Sequence, residues 1–147
     1  MKTRQVKQYI CDFCGKKGLS SGHMRKHERH CTKNPERICR MCKTLGVEQR
    51  PIADLTAILP DPAEYATEDE WGWSGYNDRL FTDTDAVMPK LKDLVSDCPM
   101  CVMAALRQKG IPVNKVKSFD YKKEITGIWK MIKDEEENTR SLVYDCY

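Results

Sequence analysis

Histidine is scarce in this chain of 147 residues: there are three, at 23, 27 and 30, and none follows. A second mixed cysteine/histidine metal site beyond residue 30 is therefore excluded. No His-x-Glu pair occurs, which removes zinc-deaminase chemistry. Long apolar runs are also missing. No stretch of 18 apolar residues exists, so no membrane-spanning helix is expected. The segment Met1 to Ile10 has no apolar region of the kind that directs secretion. A reducing home follows, cytoplasmic or otherwise intracellular. Hydrophobic residues make up 40% of the chain and aromatics 8%, so the core is thin. There is no Ser-His-Asp set and no phosphate-cradling glycine loop. The chain is therefore expected not to be an enzyme, and no small-molecule substrate is evident.

Cysteine, by contrast, is abundant. Six of the eight fall into three Cys-x-x-Cys pairs: Cys11/Cys14, Cys39/Cys42 and Cys98/Cys101. Secreted disulfide frameworks rarely repeat that spacing, whereas metal sites use it constantly. Charge is segregated as well. Residues 1–50 hold 13 Lys/Arg against 4 Asp/Glu, and residues 51–97 hold 3 against 11. The basic head suits an anion such as nucleic acid; the acidic middle suits docking on that head or plain solvation.

Cys11-Asp-Phe-Cys14 places two thiolates on one tight turn. His27 and Cys31, four apart, project from one face of a helix and supply the other edge of a tetrahedron. His30 is a rival for the last position, but cysteine is the softer and tighter ligand. Ser20 or Ser21 is positioned to cap the helix. Residues 9–31 resemble the Cys2His2 zinc finger in its Cys2HisCys variant, with Tyr9 at the family's aromatic position. Met24 stands where that family usually has leucine. Gly18 stands where it usually has phenylalanine, with Leu19 beside it. The resemblance implies a ββα-like finger. It also implies base-facing positions at Ser20, His23 and Lys26, to which Arg25 and Arg29 add charge beside the same helix. Arg4, Lys7, Lys16 and Lys17 extend the basic head.

Thr32 to Arg37, with Asn34-Pro35, reads as a short linker. Cys39 and Cys42 then need two more ligands. With no later histidine, Cys98 and Cys101 are the remaining close pair, so a four-cysteine site closing residues 43–97 is expected. Cys146 is left over as a free thiol. Cys98-Pro-Met-Cys101 opening a helix also looks like the active-site segment of glutaredoxins. The family's later Thr-Val-Pro and Gly-Gly segments are missing, however, and a second cysteine pair waits for a partner.

Ile52, Leu55, Ile58 and Leu59 follow helical spacing between Pro51 and Pro60. Residues 60–85 read as an acidic irregular insertion, with Trp71, Trp73, Tyr76 and Phe81 pinning it to the core. Helical pattern returns over Val87 to Val95, capped by Asp85, and again from Cys98 to Lys109. A last helix with Ser118 as N-cap carries Tyr121, Ile125, Ile128, Trp129 and Ile132. It ends at the acidic run 134–137, before a short strand at 142–144.

The expected fold is a small zinc-stabilised α+β chain. An N-terminal ββα-like finger (1–36) precedes a mainly α-helical domain (37–147) held by a four-cysteine zinc site, and two structural zinc ions are the cofactors. The expected function is a non-enzymatic nucleic-acid-binding or regulatory accessory module. The alternative is a zinc-stabilised protein-interaction adaptor, with a glutaredoxin-like redox protein as the minor reading.

Overall fold

The computed structural model describes residue 1 and residues 5–144, with side chains as far as residue 135. Cys146 and Arg4 lie outside the described residues. The described residues form a small α+β structure with two separate two-stranded antiparallel sheets.

Strands β1 (Tyr9–Ile10) and β2 (Lys17–Gly18) pair with Tyr9 opposite Gly18. The turn between them is closed by Cys11 N to Lys16 O (2.8 Å) and Gly15 N to Cys11 O (2.9 Å). Gly15 has φ +72°, a conformation that favours glycine. Helix α1 (Ser21–His30) follows, capped by Ser20, whose hydroxyl accepts from His23 N. Met24, Cys11 and Cys31 form the small core here, with Tyr9 packed against them. A Cβ added at Gly18 would stand 3.1 Å from Met24 Cε. The long Met24 side chain thus occupies the room that a large residue at 18 would need. Leu19 contributes nothing to this core and is exposed.

Residues 32–37 are not a bare linker. Asn34 is buried; its Nδ2 donates to Glu28 O (2.8 Å) and its Oδ1 accepts from Glu36 N (2.9 Å). Gln108 Nε2 donates to the carbonyls of Thr32 (3.0 Å) and Asn34 (2.9 Å), and Arg107 Nη1 to Thr32 Oγ1 (3.0 Å). The segment is a hydrogen-bonded seam against the helical part of the chain, which its composition did not reveal.

Helices α2 (Arg40–Leu45), α3 (Ile52–Ala57), α4 (Arg79–Leu94), α5 (Pro99–Lys109) and α6 (Tyr121–Tyr144) make the larger core. Helix α5 sits at its centre and packs on α3, α4 and α6. Cys101 to Leu106 are all buried, as expected of a helix enclosed on every side. Gly110 (φ +82°) ends it in the left-handed cap conformation. Between α4 and α5, Ser96 and Asp97 also take positive φ (49° and 55°), which swings Cys98 into the core.

Residues 60–85 are not irregular throughout. They hold a 3-10 turn (Pro62–Tyr65), the hairpin β3 (Ala66–Glu68) and β4 (Ser74–Tyr76), and the start of α4. Phe81 packs on the core, but Trp71 and Trp73 are 78% and 76% exposed. Asp85 does not cap α4. It lies inside that helix and accepts from Lys117 N, Ser118 N and Ser118 Oγ. Ser118 is thereby engaged, and Asp120 caps α6 instead, accepting from Lys123 N (3.0 Å). Residues 134–144 continue α6 as helix, so the acidic run does not end it and no strand forms at 142–144. Tyr121, Ile125 and Ile128 pack on the core as the periodicity requires, while Trp129 is turned halfway to solvent.

Candidate metal centres

Two groups of four ligands stand out among the described residues: Cys11, Cys14, His27 and Cys31, and Cys39, Cys42, Cys98 and Cys101. Within each group all ligand atoms lie within 4.8 Å of one another.

In the first group the β1–β2 turn supplies Cys11 and Cys14, and α1 supplies His27 with Cys31 at its C-cap. Cys14 Sγ and His27 Nε2 are 3.2 Å apart. Zn–S near 2.3 Å and Zn–N near 2.0 Å in a tetrahedron give an S···N edge of about 3.5 Å, so a small contraction separates the two. Burial opposes ionisation of Cys14. Hydrogen bonds from His27, the Lys16 backbone, Cys11 and Cys31 outweigh it and bring Cys14 down to about 6. Cys31 is pushed up to about 11, first by burial. His30 is not in the group; its Nδ1 pairs with Ile38 O at 2.7 Å and so fixes the end of α1 against the following segment.

In the second group Cys39 is the N-cap of α2 and Cys98 the N-cap of α5. Each Cys-x-x-Cys turn therefore opens a helix, and the two turns face each other. Cys39 Sγ lies 3.6 Å from Cys98 Sγ, and Cys42 Sγ lies 3.4 Å from Cys101 Sγ. These are far longer than a disulfide of about 2.05 Å and close to the S···S edge of about 3.8 Å in a tetrahedral zinc thiolate. All four sulfurs are buried and free. Cys42 N also donates to Cys39 Sγ (3.5 Å).

The thiols of this cluster interact strongly with one another. Cys39 is held far below the ordinary thiol value by donation from Cys101 and Cys98. Cys98 and Cys101 are pushed above the ordinary value because each donates within the cluster, and Cys42 is raised to about 12, first by burial. Four thiolates packed this closely repel one another, and a metal ion among them offsets that repulsion. Arg37 adds a permanent charge. It is 3% exposed, and its Nη1 donates to Cys101 Sγ at 3.6 Å. Its Nε and Nη2 are buried without a hydrogen-bond partner. Burial works against its charge, but Cys39 and Cys101 outweigh that and raise its pKa. Four thiolates around one Zn²⁺ carry a net charge of about −2, which a buried guanidinium partly offsets. Gln49 fixes the approach: its Oε1 accepts from Cys39 N, and its Nε2 donates to Arg37 O at 2.7 Å.

Both donor sets fit zinc in type, number and spacing, and the chain is built for two zinc ions. Arg37, Gln49, Asn34 and Gln108 carry no signal in the sequence. No ligand spacing marks them, because they act through the tertiary seam.

The five residues expected to touch nucleic acid all belong to α1 or its cap. Ser20 is occupied as N-cap through its side chain. His23, Arg25, Lys26 and Arg29 are exposed. Two clefts flank the helix. One, of about 420 Å³, is lined by Lys16, Lys17, Leu19, Ser20 and His23 among others. The other, of about 370 Å³, lies between α1 and the helical core; His23, Lys26 and His30 face Ile38, Arg40 and Met100 across it. Neither has an acidic lining residue. Among the described residues, no helix is long and apolar enough to cross a membrane. Comparison with protein-family models, curated proteins and solved structures gave no match.

Proposed function

We propose that this chain is a non-enzymatic, zinc-stabilised nucleic-acid-binding module. Its N-terminal unit acts as a Cys2HisCys finger, with the helical unit as a fixed second wall. One observation carries the reading: Lys16, Lys17, Lys26 and Arg40 line the two clefts beside α1, and no carboxylate joins them. Arg25 and Arg29, one turn apart, extend the charge along the outer side of the helix.

The second wall affects which nucleic acid fits. An α-helix with its side chains is about 10–12 Å across and nearly fills a B-DNA major groove about 12 Å wide. Ile38, Arg40 and Met100 stand beside the His23–Lys26 face, so a duplex edge that enters there meets a second wall. A single strand or a loop suits the cleft better, with phosphates on Lys26 and Arg40 and a base against His23, Ile38 or Met100.

Both clusters use four strong ligands, which leaves no open coordination position for catalysis. A thiol-redox role is disfavoured because Cys98 and Cys101 are buried and share one cluster with Cys39 and Cys42, which leaves that pair no exposed thiol for exchange.

The reading is tested by titrating the zinc-loaded chain with a single-stranded oligonucleotide and with its duplex over a range of salt. Single-strand binding should weaken with salt at a slope of about −0.7 per phosphate contact. Replacing Lys16, Lys26 and Arg40 together with alanine should flatten that slope by about 2. Absence of binding to either form at about 50 mM salt refutes the proposal.

A further inference from the structure

The β3–β4 hairpin is built unlike the rest of the molecule. All six strand residues are exposed, so neither of its faces is covered. Two-stranded hairpins are marginal alone, yet this one is tied at both ends. At its base Asn77 N donates to Tyr65 O (2.8 Å), and Tyr65 Oη donates to Asp83 on α4 (2.7 Å). At its tip the Asp69 carboxylate accepts from Trp71 N (3.0 Å) and Trp73 N (2.9 Å), and Asp69 N donates to Trp73 O (3.1 Å). Gly72 completes the turn at φ +77°.

What this rigid turn presents is costly to leave in water. Trp71 and Trp73 are 78% and 76% exposed, and Tyr76 is 42% exposed. Exposed tryptophans on a preset backbone lose little entropy on binding and are typical anchors of protein interfaces. The charge is mostly of one sign, and the cation at the base of the hairpin, Arg79, pairs with Asp83 (3.6 Å). Residues 61–78 hold six Asp/Glu and no Lys/Arg. Glu68 and Glu70 flank the turn, and both are exposed.

We infer that this hairpin is a docking surface for a basic segment of a partner protein, with lysine or arginine groups over the indole rings and against Glu68 and Glu70. A cation over tryptophan is favourable and gains from nearby carboxylates. The same carboxylates repel nucleic acid and anionic lipid, so the surface is separate in kind from the basic clefts beside α1.

The test uses the zinc-loaded full chain carrying Trp129→Phe. Of the three tryptophans in the sequence, only the hairpin pair then emits. Randomised twelve-residue peptides are selected on the chain; the enriched peptides are titrated by tryptophan emission on the parent, and by anisotropy of a dye-labelled peptide on the parent and on every variant. The expected result is enrichment of Lys/Arg-bearing peptides that shift the emission. Their affinity should fall at least tenfold with Trp71→Ala/Trp73→Ala, and also weaken with Glu68→Gln/Glu70→Gln. The tryptophan double variant should melt at the same temperature as the parent. Four results overturn the inference: no enrichment that depends on the tryptophans, enriched peptides lacking basic residues, a lowered melting temperature, or an emission shift with poly-dT or anionic vesicles instead. Self-association abolished by the tryptophan substitutions assigns the surface to a second copy of this chain and overturns it as well.

Discussion

Arg37 places its Nη1 3.6 Å from the Sγ of Cys101, across 64 residues of sequence. The guanidinium lies in the seam between the N-terminal unit and the helices, so it joins that seam to the second metal site. Replacing Arg37 with methionine keeps the volume and removes the charge. Zinc affinity of the four-cysteine site should fall about 10- to 100-fold, the usual effect of losing an outer-shell partner. Chelator competition measures this, and the first site should keep its affinity. Equal weakening of both sites, or of neither, contradicts the role assigned to Arg37.

His27→Ala should release one zinc ion per chain and leave the other bound. Structural zinc contributes about 10–16 kcal/mol in finger peptides, and a core of Met24, Cys11 and Cys31 cannot replace that. Metal analysis together with hydrogen exchange reads the outcome. Protection should vanish over residues 9–31 and persist in α5. Retention of both metals would falsify the ligand assignment.

Cys39→Ser and Cys98→Ser should be equivalent. Their sulfurs are 3.6 Å apart and belong to one cluster, so either change should lose the same single zinc and loosen the same helices. Different metal contents, or different regions of lost protection, mean that the two pairs serve different sites.

Gly18→Phe should be destabilising by about 1–3 kcal/mol, because the added side chain meets Met24 Cε at 3.1 Å from its Cβ. Pairing it with Met24→Leu shortens the obstructing chain, and much of the loss should return. The coupling is read as a double-mutant cycle on thermal unfolding. Simple additivity shows that Met24 is not what fills the space at Gly18.

Tyr65 should ionise above the ordinary tyrosine value of about 10, because Asp83 accepts its hydroxyl proton and a nearby negative charge disfavours phenolate. A raised folded-state value means that the interaction is fully present below the unfolded value and is lost as pH rises through the folded one. The difference in absorbance near 295 nm between the parent and Tyr65→Phe isolates this group. Asp83→Asn should move its midpoint back down. An unchanged midpoint in that variant shows that Asp83 does not hold the base of the hairpin.

The sequence by itself determined the metal chemistry. Cys-x-x-Cys turns and the His27–Cys31 spacing are local geometry, set by a few backbone angles, and so can be read without a fold. The second cluster was legible by elimination, since histidine runs out at residue 30 and Cys98 with Cys101 were the remaining close pair. Helix α5 was legible as a helical run from Cys98 to Lys109.

Only the tertiary structure decided what the long-range partners do. Asp85 resembled a cap in sequence, but the chain brings Ser118 to it from 33 residues away. The polar run 32–37 resembled a tether, but Gln108 and Cys101 turn it into a seam. The tryptophans of the acidic stretch resembled core anchors, because buried area is the common use of an indole. Asp69 instead folds them into a hairpin tip facing water. Such differences follow from the range of the forces. Ligand spacing and capping act within a turn of the chain, whereas burial and hydrogen-bond satisfaction depend on segments that meet only after folding.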